Sequence, residues 1–325
     1  MPSPNGRPTA RRASSRRHER KAFTAVIGDS GWLWVVFTLI AALAQTARNA
    51  MQRELTAKLG TVGATHVRFL FGFPFAILFL IGVVIVVGRA LPQPGFAYWP
   101  WLLLGTIAQI IATALMLAAM GERSFVVAYA YIKTEPVQVA LFGLVFLGDA
   151  VPLQVAIAIL IATAGVMVMS VRPGVSLMSD LRPVLLGVGS GAMLALSVIG
   201  FRGAILSLDD SSFVMAATYT LALGLVAQAA LLSLYLWVRD APVLLAIARA
   251  WKPSLLAGFM GAFASQFWFL AFALSTAANV RTLGLVELLF AQLISVFIFG
   301  QKTTGREGMG IVLVVAGVAL LLWAT

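Results

Sequence analysis

Long apolar segments recur along the chain after its first thirty residues, separated by short stretches of Gly, Pro and charged residues. Each segment approaches the roughly 20 residues that a helix needs to cross a hydrocarbon core of about 30 Å. Strands of a membrane barrel would alternate apolar and polar residues, and the sequence shows no such alternation. The segments begin near Gly31, Gly63, Ala97, Ser124, Val151, Pro183, Ser212, Pro253, Ala278 and Gly308, and the last ends near Ala324. This pattern predicts an all-α integral membrane protein of about ten transmembrane helices.

An internal repeat relates the two halves of the chain. A shift of 152 positions places Glu135 on Glu287, Gly148 on Gly300 and Ala164-Gly165-Val166 on Ala316-Gly317-Val318, and a shift of 153 places Gly105 on Gly258. Five spans are an odd number, so the second copy enters the membrane from the opposite side to the first. The sequence therefore predicts two inverted five-helix repeats with a solute site at the midplane between them.

The repeat also predicts the boundaries of the chain's parts. We expect a disordered basic tail over 1–30, a first repeat over 31–172, a linker over 173–182 and a second repeat over 183–325. The tail followed by Ala42-Leu43-Ala44 also resembles a secretory signal, or the tail alone an organelle-targeting segment. The repeat favours keeping the first segment, because the second half has a counterpart to it.

Composition agrees with a protein whose solvent is lipid. Hydrophobic residues make up 61% and charged residues 11%, against about 25% charged in a soluble domain. With no cysteine and only His18 and His66, the sequence indicates no metal site, no cofactor and no enzyme. The net charge of +11 lies in the tail and in short connections, which indicates membrane topology and no nucleic-acid partner.

The basic residues predict the orientation only in part. Seven of the 23 Lys and Arg lie in the tail, which favours cytoplasmic N- and C-termini in a plasma (inner) membrane. Several later basic residues then fall on the opposite side, against the same rule: Arg53, Lys58, Arg172, Arg182, Arg249, Lys252, Lys302 and Arg306.

Two glutamates lie near the middle of apolar segments, where an ionisable group costs at least about 2.5–3.5 kcal/mol. Burial pushes a carboxyl group toward its neutral form and a cation pushes it back, so Glu135 and Glu287 are candidates for proton coupling. The alternative is a pair of fixed ion pairs that lock helices together. We expect Arg48 or Arg68 to neutralise Glu135. Arg202 or Arg281 is the candidate for Glu287, although snorkelling to the interface is the favoured interpretation of both.

Other polar residues within the segments complete the predicted substrate site. Pro136 is expected to break its helix beside Glu135, with a purely structural kink as the alternative. Neutral amides serve as glue between helices as readily as they bind a ligand. The candidate substrate-binding residues are Gln45, Arg48, Asn49, Arg68, Gln109, Lys133, Glu135, Gln266, Trp268, Glu287 and Gln292.

The fourth, fifth, ninth and tenth segments resemble the EamA-like family of the drug/metabolite transporter superfamily. The resemblance rests on Glu135-Pro136-Val137, Leu147-Gly148-Asp149 and Ala164-Gly165-Val166, echoed by Glu287, Gly300 and Ala316-Gly317-Val318. It implies ten spans in two inverted halves around a central cavity, and export (efflux) or import of amino acids, other metabolites or drugs, often proton-coupled. Leu288 replaces the usual proline and Gln301 the usual acid, so we expect a less kinked second half.

We therefore predict a secondary transporter of a small organic solute, with the lipid bilayer as its other partner and an oligomeric state that the sequence leaves open. Because the cavity is expected to contain charges of both signs, a zwitterion such as an amino acid is the first guess. The alternative is an integral membrane enzyme or lipid-handling protein, although the spans carry no nucleophile–base set.

Overall fold

The computed structural model describes residues 31–88, 90–120, 130–170, 181–208, 211–297, 300 and 303–325, with the backbone alone at 49–61, 64, 117, 120 and 253. Its helices in the first half are α1 (Leu33–Leu70), α2 (Phe73–Val87), α3 (Tyr98–Met120), α4 (Glu135–Phe142) and α5 (Leu153–Ser170). In the second half they are α6 (Leu181–Leu206), α7 (Phe213–Arg239), α8 (Ala241–Arg249), α9 (Trp251–Leu274), α10 (Ala277–Leu283), α11 (Glu287–Phe297) and α12 (Gly305–Ala324).

Two short segments of different helical geometry join these helices into longer spans. A π-helical segment, Gly143–Leu147, extends α4, and a 3₁₀ segment, Gly284–Val286, connects α10 to α11. Among the described residues, nine helical stretches are long and apolar enough to cross a membrane, and a tenth, Leu33–Arg48, is apolar but shorter. This confirms the predicted class of all-α membrane protein.

The second apolar stretch runs from Thr65 to Val87, close to its predicted start near Gly63, but its first residues continue the first helix without a break. Helix α1 runs through that position to Leu70 and ends at the turn Phe71–Gly72. The stretch between the segments is rich in Ala, Leu, Gln, Lys, Arg and Glu, which favour a helix, and contains no proline. Pro74, near the start of α2, follows the actual break.

Repeated glycines end corresponding spans in the two halves. Gly148 and Gly300, which the 152-residue shift superposes, have φ angles of 69° and 63°. This left-handed conformation is strained for residues with a Cβ atom, so glycine is the natural residue at both positions. The next helix after Gly300, α12, begins with a capping box in which Thr304 and Glu307 bond to each other's backbone N–H groups.

The Ala-Gly-Val repeats are where α5 and α12 touch. A Cβ atom added to Gly165 would lie 2.7 Å from Val314 N, and one added to Gly317 would lie 2.6 Å from Ala162 N. The contact is reciprocal, because the 152-residue shift carries Gly165 onto Gly317 and Ala162 onto Val314. A two-fold relation between the halves would produce this reciprocity, while their inversion in the membrane stays a prediction.

Further extensive packing joins the halves, between α3 and α6 and between α1 and α9. On α6, Ser197 donates a hydrogen bond to the carbonyl of Gly105 on α3, at 2.9 Å. On the other pair, Phe37 of α1 packs against Phe267 of α9, with ring centroids 5.8 Å apart. Both halves therefore contribute to one apolar core around the centre of the molecule.

Filling the α5–α12 contact should destabilise the protein. We expect Gly165→Leu and Gly317→Leu to lower the melting temperature in detergent, because overpacking costs about 1–3 kcal/mol. Gly82→Leu on α2 is the matched control, since a Cβ there meets nothing within 4 Å. A loss as large in the control as in the other two variants would contradict the close contact.

Candidate functional site

Two interrupted spans place both glutamates at the starts of helices. The helical segment before α4 ends in a turn at Lys133 and Thr134, and α4 then begins with Glu135 and Pro136. In the second half the 3₁₀ segment Gly284–Val286 immediately precedes Glu287, the first residue of α11. Glu135 therefore lies in the first turn of α4, where a helix N-terminus favours negative charge by about 0.3–1 kcal/mol, whereas at Glu287 the 3₁₀ segment continues directly into α11.

The predicted break beside Pro136 is confirmed. Thr134 accepts a backbone hydrogen bond from Val137 as the new helix starts, and its hydroxyl donates to the carbonyl of Tyr131 at 2.7 Å. The second half is also interrupted, although Leu288 stands where a proline is usual. Its interruption is a tighter helical turn, because Glu287 N–H still bonds to the carbonyls of Gly284 and Leu285.

Two ion pairs cross between the halves. Arg281 of α10 binds Glu135 with two hydrogen bonds, Nε to Oε1 at 2.7 Å and Nη2 to Oε2 at 2.6 Å. Lys133, beside the break in the first half, pairs with Glu287 of the second half. Glu135 is 3% exposed and Glu287 8% exposed, so both pairs are buried.

Gln45 and Trp268 connect these two pairs into one network. Gln45 Nε2 donates to Glu287 Oε2 at 2.6 Å, and Trp268 Nε1 donates to Gln45 Oε1 at 3.1 Å. The Arg281 guanidinium lies over the Trp268 ring, 4.9 Å from its centroid. The central network, as we call Lys133, Glu287, Gln45, Trp268, Arg281 and Glu135, thus runs without a gap from one ion pair to the other.

The expected partners of the glutamates were wrong. Glu135 binds Arg281 in place of Arg48 or Arg68, and Glu287 binds Lys133 in place of Arg202 or Arg281. The snorkelling interpretation also fails, because Arg202 is 8% exposed and Arg281 is engaged with a buried acid. Spacing along a helix shows which residues share a face, but not which helix of the other half packs against that face.

Arg48 and Arg68 of α1 lie next to the central network. Arg48 is buried, within electrostatic range of Glu287, and Arg68 is close enough to Arg48 and Arg281 to be repelled by both charges. Gly261 of α9 leaves room for them, since a Cβ there would lie 3.4 Å from Arg68 Cγ and 3.7 Å from Arg48 Cδ. Two of the predicted substrate-site arginines thus border the two ion pairs.

A small cavity of about 20 Å³ adjoins Arg68. Gln109 and Gln228 line it and bind each other, with Gln228 Nε2 donating to Gln109 Oε1 at 2.6 Å. Phe201 and Phe269 form apolar parts of its wall. This volume holds about one water molecule, so the described side chains around Arg68 are closely packed.

The remaining candidates lie apart from this centre or outside the described side chains. Gln266 binds Thr218 Oγ1 at 2.7 Å, between α9 and α7. Gln292 donates to Thr303 Oγ1 at 3.3 Å, near the far end of α11. The side chain of Asn49 is outside the described part of the structure. Gln292 lies on the same helix as Glu287, as predicted from the sequence, but further along it, and it binds Thr303 beyond the end of that helix.

A third ion pair between the halves lies at the end of the molecule that contains Thr325. Arg202 at the end of α6 donates to Asp149 Oδ1 at 3.3 Å and to the carbonyl of Ser275 at 2.9 Å. A cavity of about 350 Å³ next to it is lined by residues including Ser275 and Asn279. The sequence analysis named Asp149 only as part of the Leu147-Gly148-Asp149 motif and predicted no ion pair for it. An acid directly after Gly148, at the end of a span, could have indicated that it needs a cation.

Comparison with known sequences finds a family match in the second half. Residues 181–323 match the profile of the EamA-like transporter family. This half of the chain is therefore similar to that family. For these residues the sequence-based resemblance to the family, within the drug/metabolite transporter superfamily, is confirmed, and the match suggests a transporter-like membrane protein.

Structural comparison finds a similar fold over nearly the whole chain. A crystal structure of a protein of similar length aligns over 90% of this chain and 96% of its own, with a TM-score of 0.68 and 16% sequence identity. At that identity the likeness concerns the fold alone. A search of curated protein sequences gives no match.

Removing one member of the Glu135–Arg281 pair should cost more stability than removing both. Arg281→Gln leaves a buried carboxylate without its partner, which costs about 3–5 kcal/mol. We therefore expect the double variant Arg281→Gln/Glu135→Gln to melt at a higher temperature than Arg281→Gln alone.

The measurement is a double-mutant cycle of melting temperatures in detergent. Arg249→Gln, on the exposed face of α8, is the control and should melt like the unmodified protein. Equal melting temperatures for the Arg281 single variant and the double variant would show that the pair is not a coupled unit.

Proposed function

We propose that this protein is a secondary active transporter that moves a small organic solute across the membrane by alternating access. The observation that carries the proposal is the pair of crossed ion pairs at interrupted helices. Each pair has one member in each half, so any rocking of one half against the other must act on both contacts. Interrupted helices near the bilayer midplane are typical of solute sites in transporters built from repeats.

The closed centre supports an occluded state between two open ones. A cavity of about 20 Å³ is too small for an organic solute, so a solute can enter only if the halves separate on one side. Separation of the halves stretches Glu135–Arg281 or Lys133–Glu287. The binding energy of the solute must offset the interaction energy that the stretched ion pair loses. Binding would therefore be coupled to the conformational change through differential contacts in the two states.

Proton coupling is a further part of this proposal. When an ion pair opens, its glutamate loses the cation that favours the charged form, and desolvation then favours protonation. A proton taken up from one side would leave when the pair re-forms toward the other side. Glu135 and Glu287 are the two groups in the central network that can perform this exchange.

The test is solute exchange in proteoliposomes. A thermal-shift screen of amino acids, other metabolites and drugs against the purified protein selects the most stabilising compound, and radiolabelled counterflow then measures its exchange. Stabilisation without exchange would contradict the transporter function. Exchange with the halves unable to separate, for example after cross-linking introduced cysteines between α4 and α10, would contradict alternating access.

The same assay tests proton coupling. We expect Glu135→Gln or Glu287→Gln to abolish the dependence of net uptake on an imposed pH gradient, because an amide cannot exchange a proton. Asp240→Asn, exposed between α7 and α8, is the matched control and should keep it. Unchanged pH dependence in both glutamate variants would leave the fixed ion pair as the role of these residues.

We also propose cytoplasmic termini in a plasma (inner) membrane, and the absence of cysteine from the chain makes this testable without background labelling. With ten spans, Thr325 and the start of α8 lie on opposite faces. In intact cells, a membrane-impermeant maleimide should label Ala241→Cys at once and Thr325→Cys only after lysis. The reverse pattern would mean that the basic connections, and not the tail, determine the orientation.

A further inference from the structure

Positive charge exceeds negative charge around the central network. The side chains of Arg48, Arg68, Lys133 and Arg281 lie there with only two carboxylates, Glu135 and Glu287, among the described residues. The two acids are already bound, Glu135 by both arms of Arg281 and Glu287 by Lys133 and Gln45. Among the described side chains, positive charge therefore exceeds negative charge at this place.

Arg68 lies beside two other cations of this group, Arg48 and Arg281. Its Nε atom is buried and makes no hydrogen bond to any described residue. Arg48 and Arg281 repel it, and its guanidinium lies 5.3 Å from the centroid of the Phe69 ring. A charged group at this depth costs at least about 2.5–3.5 kcal/mol, and a nearby like charge adds to that cost.

The surroundings of Arg68 are suited to a carboxylate. A guanidinium presents its donors in a planar fork that matches the two oxygens of a carboxylate. Arg68 lines the small cavity together with the amides of Gln109 and Gln228, which supply further polar contacts, while Phe201 and Phe269 offer an apolar wall. An opened form of this cavity could hold a carboxylate at one side and a short apolar body at the other.

We propose that the solute is an organic carboxylate with net negative charge, and that its carboxylate binds Arg68. This inference rests on the proposed transport function and replaces the zwitterion suggested by the sequence. A zwitterion would bring an ammonium group into a centre where the described cations already outnumber the carboxylates. A carboxylate without an amine adds only the negative charge.

The test compares ligands that share one carbon skeleton and differ in charge. The probes are 3-phenylpropionate, 3-phenylpropanamide, phenethylamine and phenylalanine, with butyrate, butyramide and butylamine as a smaller series. Each is titrated into the full-length protein in detergent at pH 7 and constant ionic strength, with the melting temperature and calorimetric heat as readouts. We expect a carboxylate to raise the melting temperature, and its amide, amine and zwitterionic counterparts to have at least tenfold weaker affinity.

Variants of Arg68 then test where the carboxylate binds. Arg68→Gln should weaken carboxylate binding at least tenfold, which corresponds to about 1.4 kcal/mol, and should not lower the ligand-free melting temperature, because it relieves repulsion. Arg249→Gln on the exposed face of α8 should bind like the unmodified protein and controls for the basic surface. Arg68→Lys keeps the charge but not the fork, so we expect weaker binding with the preference for carboxylates retained.

The outcomes separate this inference from the proposed function. Equal stabilisation by carboxylate and amide, or undiminished binding by Arg68→Gln, would overturn the anion site. If Arg68→Gln does not fold, the comparison of carboxylate, amide and amine ligands on the unmodified protein still tests the preference for anions. The Arg68→Lys variant then tests whether Arg68 is the binding residue. Counterflow of an amine without carboxylate binding would overturn the inference and leave transport standing, whereas carboxylate binding without counterflow would do the reverse.

Discussion

The need to neutralise charge at bilayer depth is the constraint on which the centre of this protein depends. Neither half can satisfy it alone, because the cation for Glu135 comes from α10 and the cation for Glu287 comes from the segment before α4. In the intact protein, loss of either cation would leave a carboxylate buried without its partner, at a cost of about 3–5 kcal/mol. The two halves are therefore tied together by electrostatics at the same place where the proposed movement between them would occur.

The local helix geometry positions the two glutamates of the central network. The turn at Lys133 and Thr134 places Glu135 at the start of α4, and the 3₁₀ segment Gly284–Val286 leads directly into Glu287. The ring of Trp268 reaches Arg281 because Gly284 has no side chain, since a Cβ atom there would lie 2.6 Å from the ring. Gly284 thus allows close approach within the central network, as Gly165 and Gly317 do at the α5–α12 contact.

The buried charges divide into two groups with different surroundings. The central network is closed, next to a cavity with room for about one water molecule. The Asp149–Arg202 pair lies instead beside the larger cavity at the end that contains Thr325, where it joins the α4–α5 connection to α6 and to the carbonyl of Ser275. Opening the protein at that end would stretch the Asp149–Arg202 pair as well. Separation of the halves therefore involves both groups of charges.

The sequence by itself determined the class of protein, most of its spans and the residues that pay the highest cost for burial. Apolar length is a local property, and a glutamate in a lipid-length segment is visible without any structure. The break at Pro136 was likewise predictable, because proline removes a backbone donor wherever it stands. The continuous helix through Gly63 was not predicted, since helix-forming residues link the two apolar segments without a proline.

Only the tertiary structure decided which charges meet. Arg281 and Lys133 lie 146 and 154 positions from their partners, and the helical period carries no information about contacts between helices so far apart in the chain. For the same reason Gln45 and Trp268 were found as candidates but not as a bridge, and Gln292 was placed at a site that it does not reach. The sequence identified most of the charged residues at the centre, and the packing of one half on the other determined their partners.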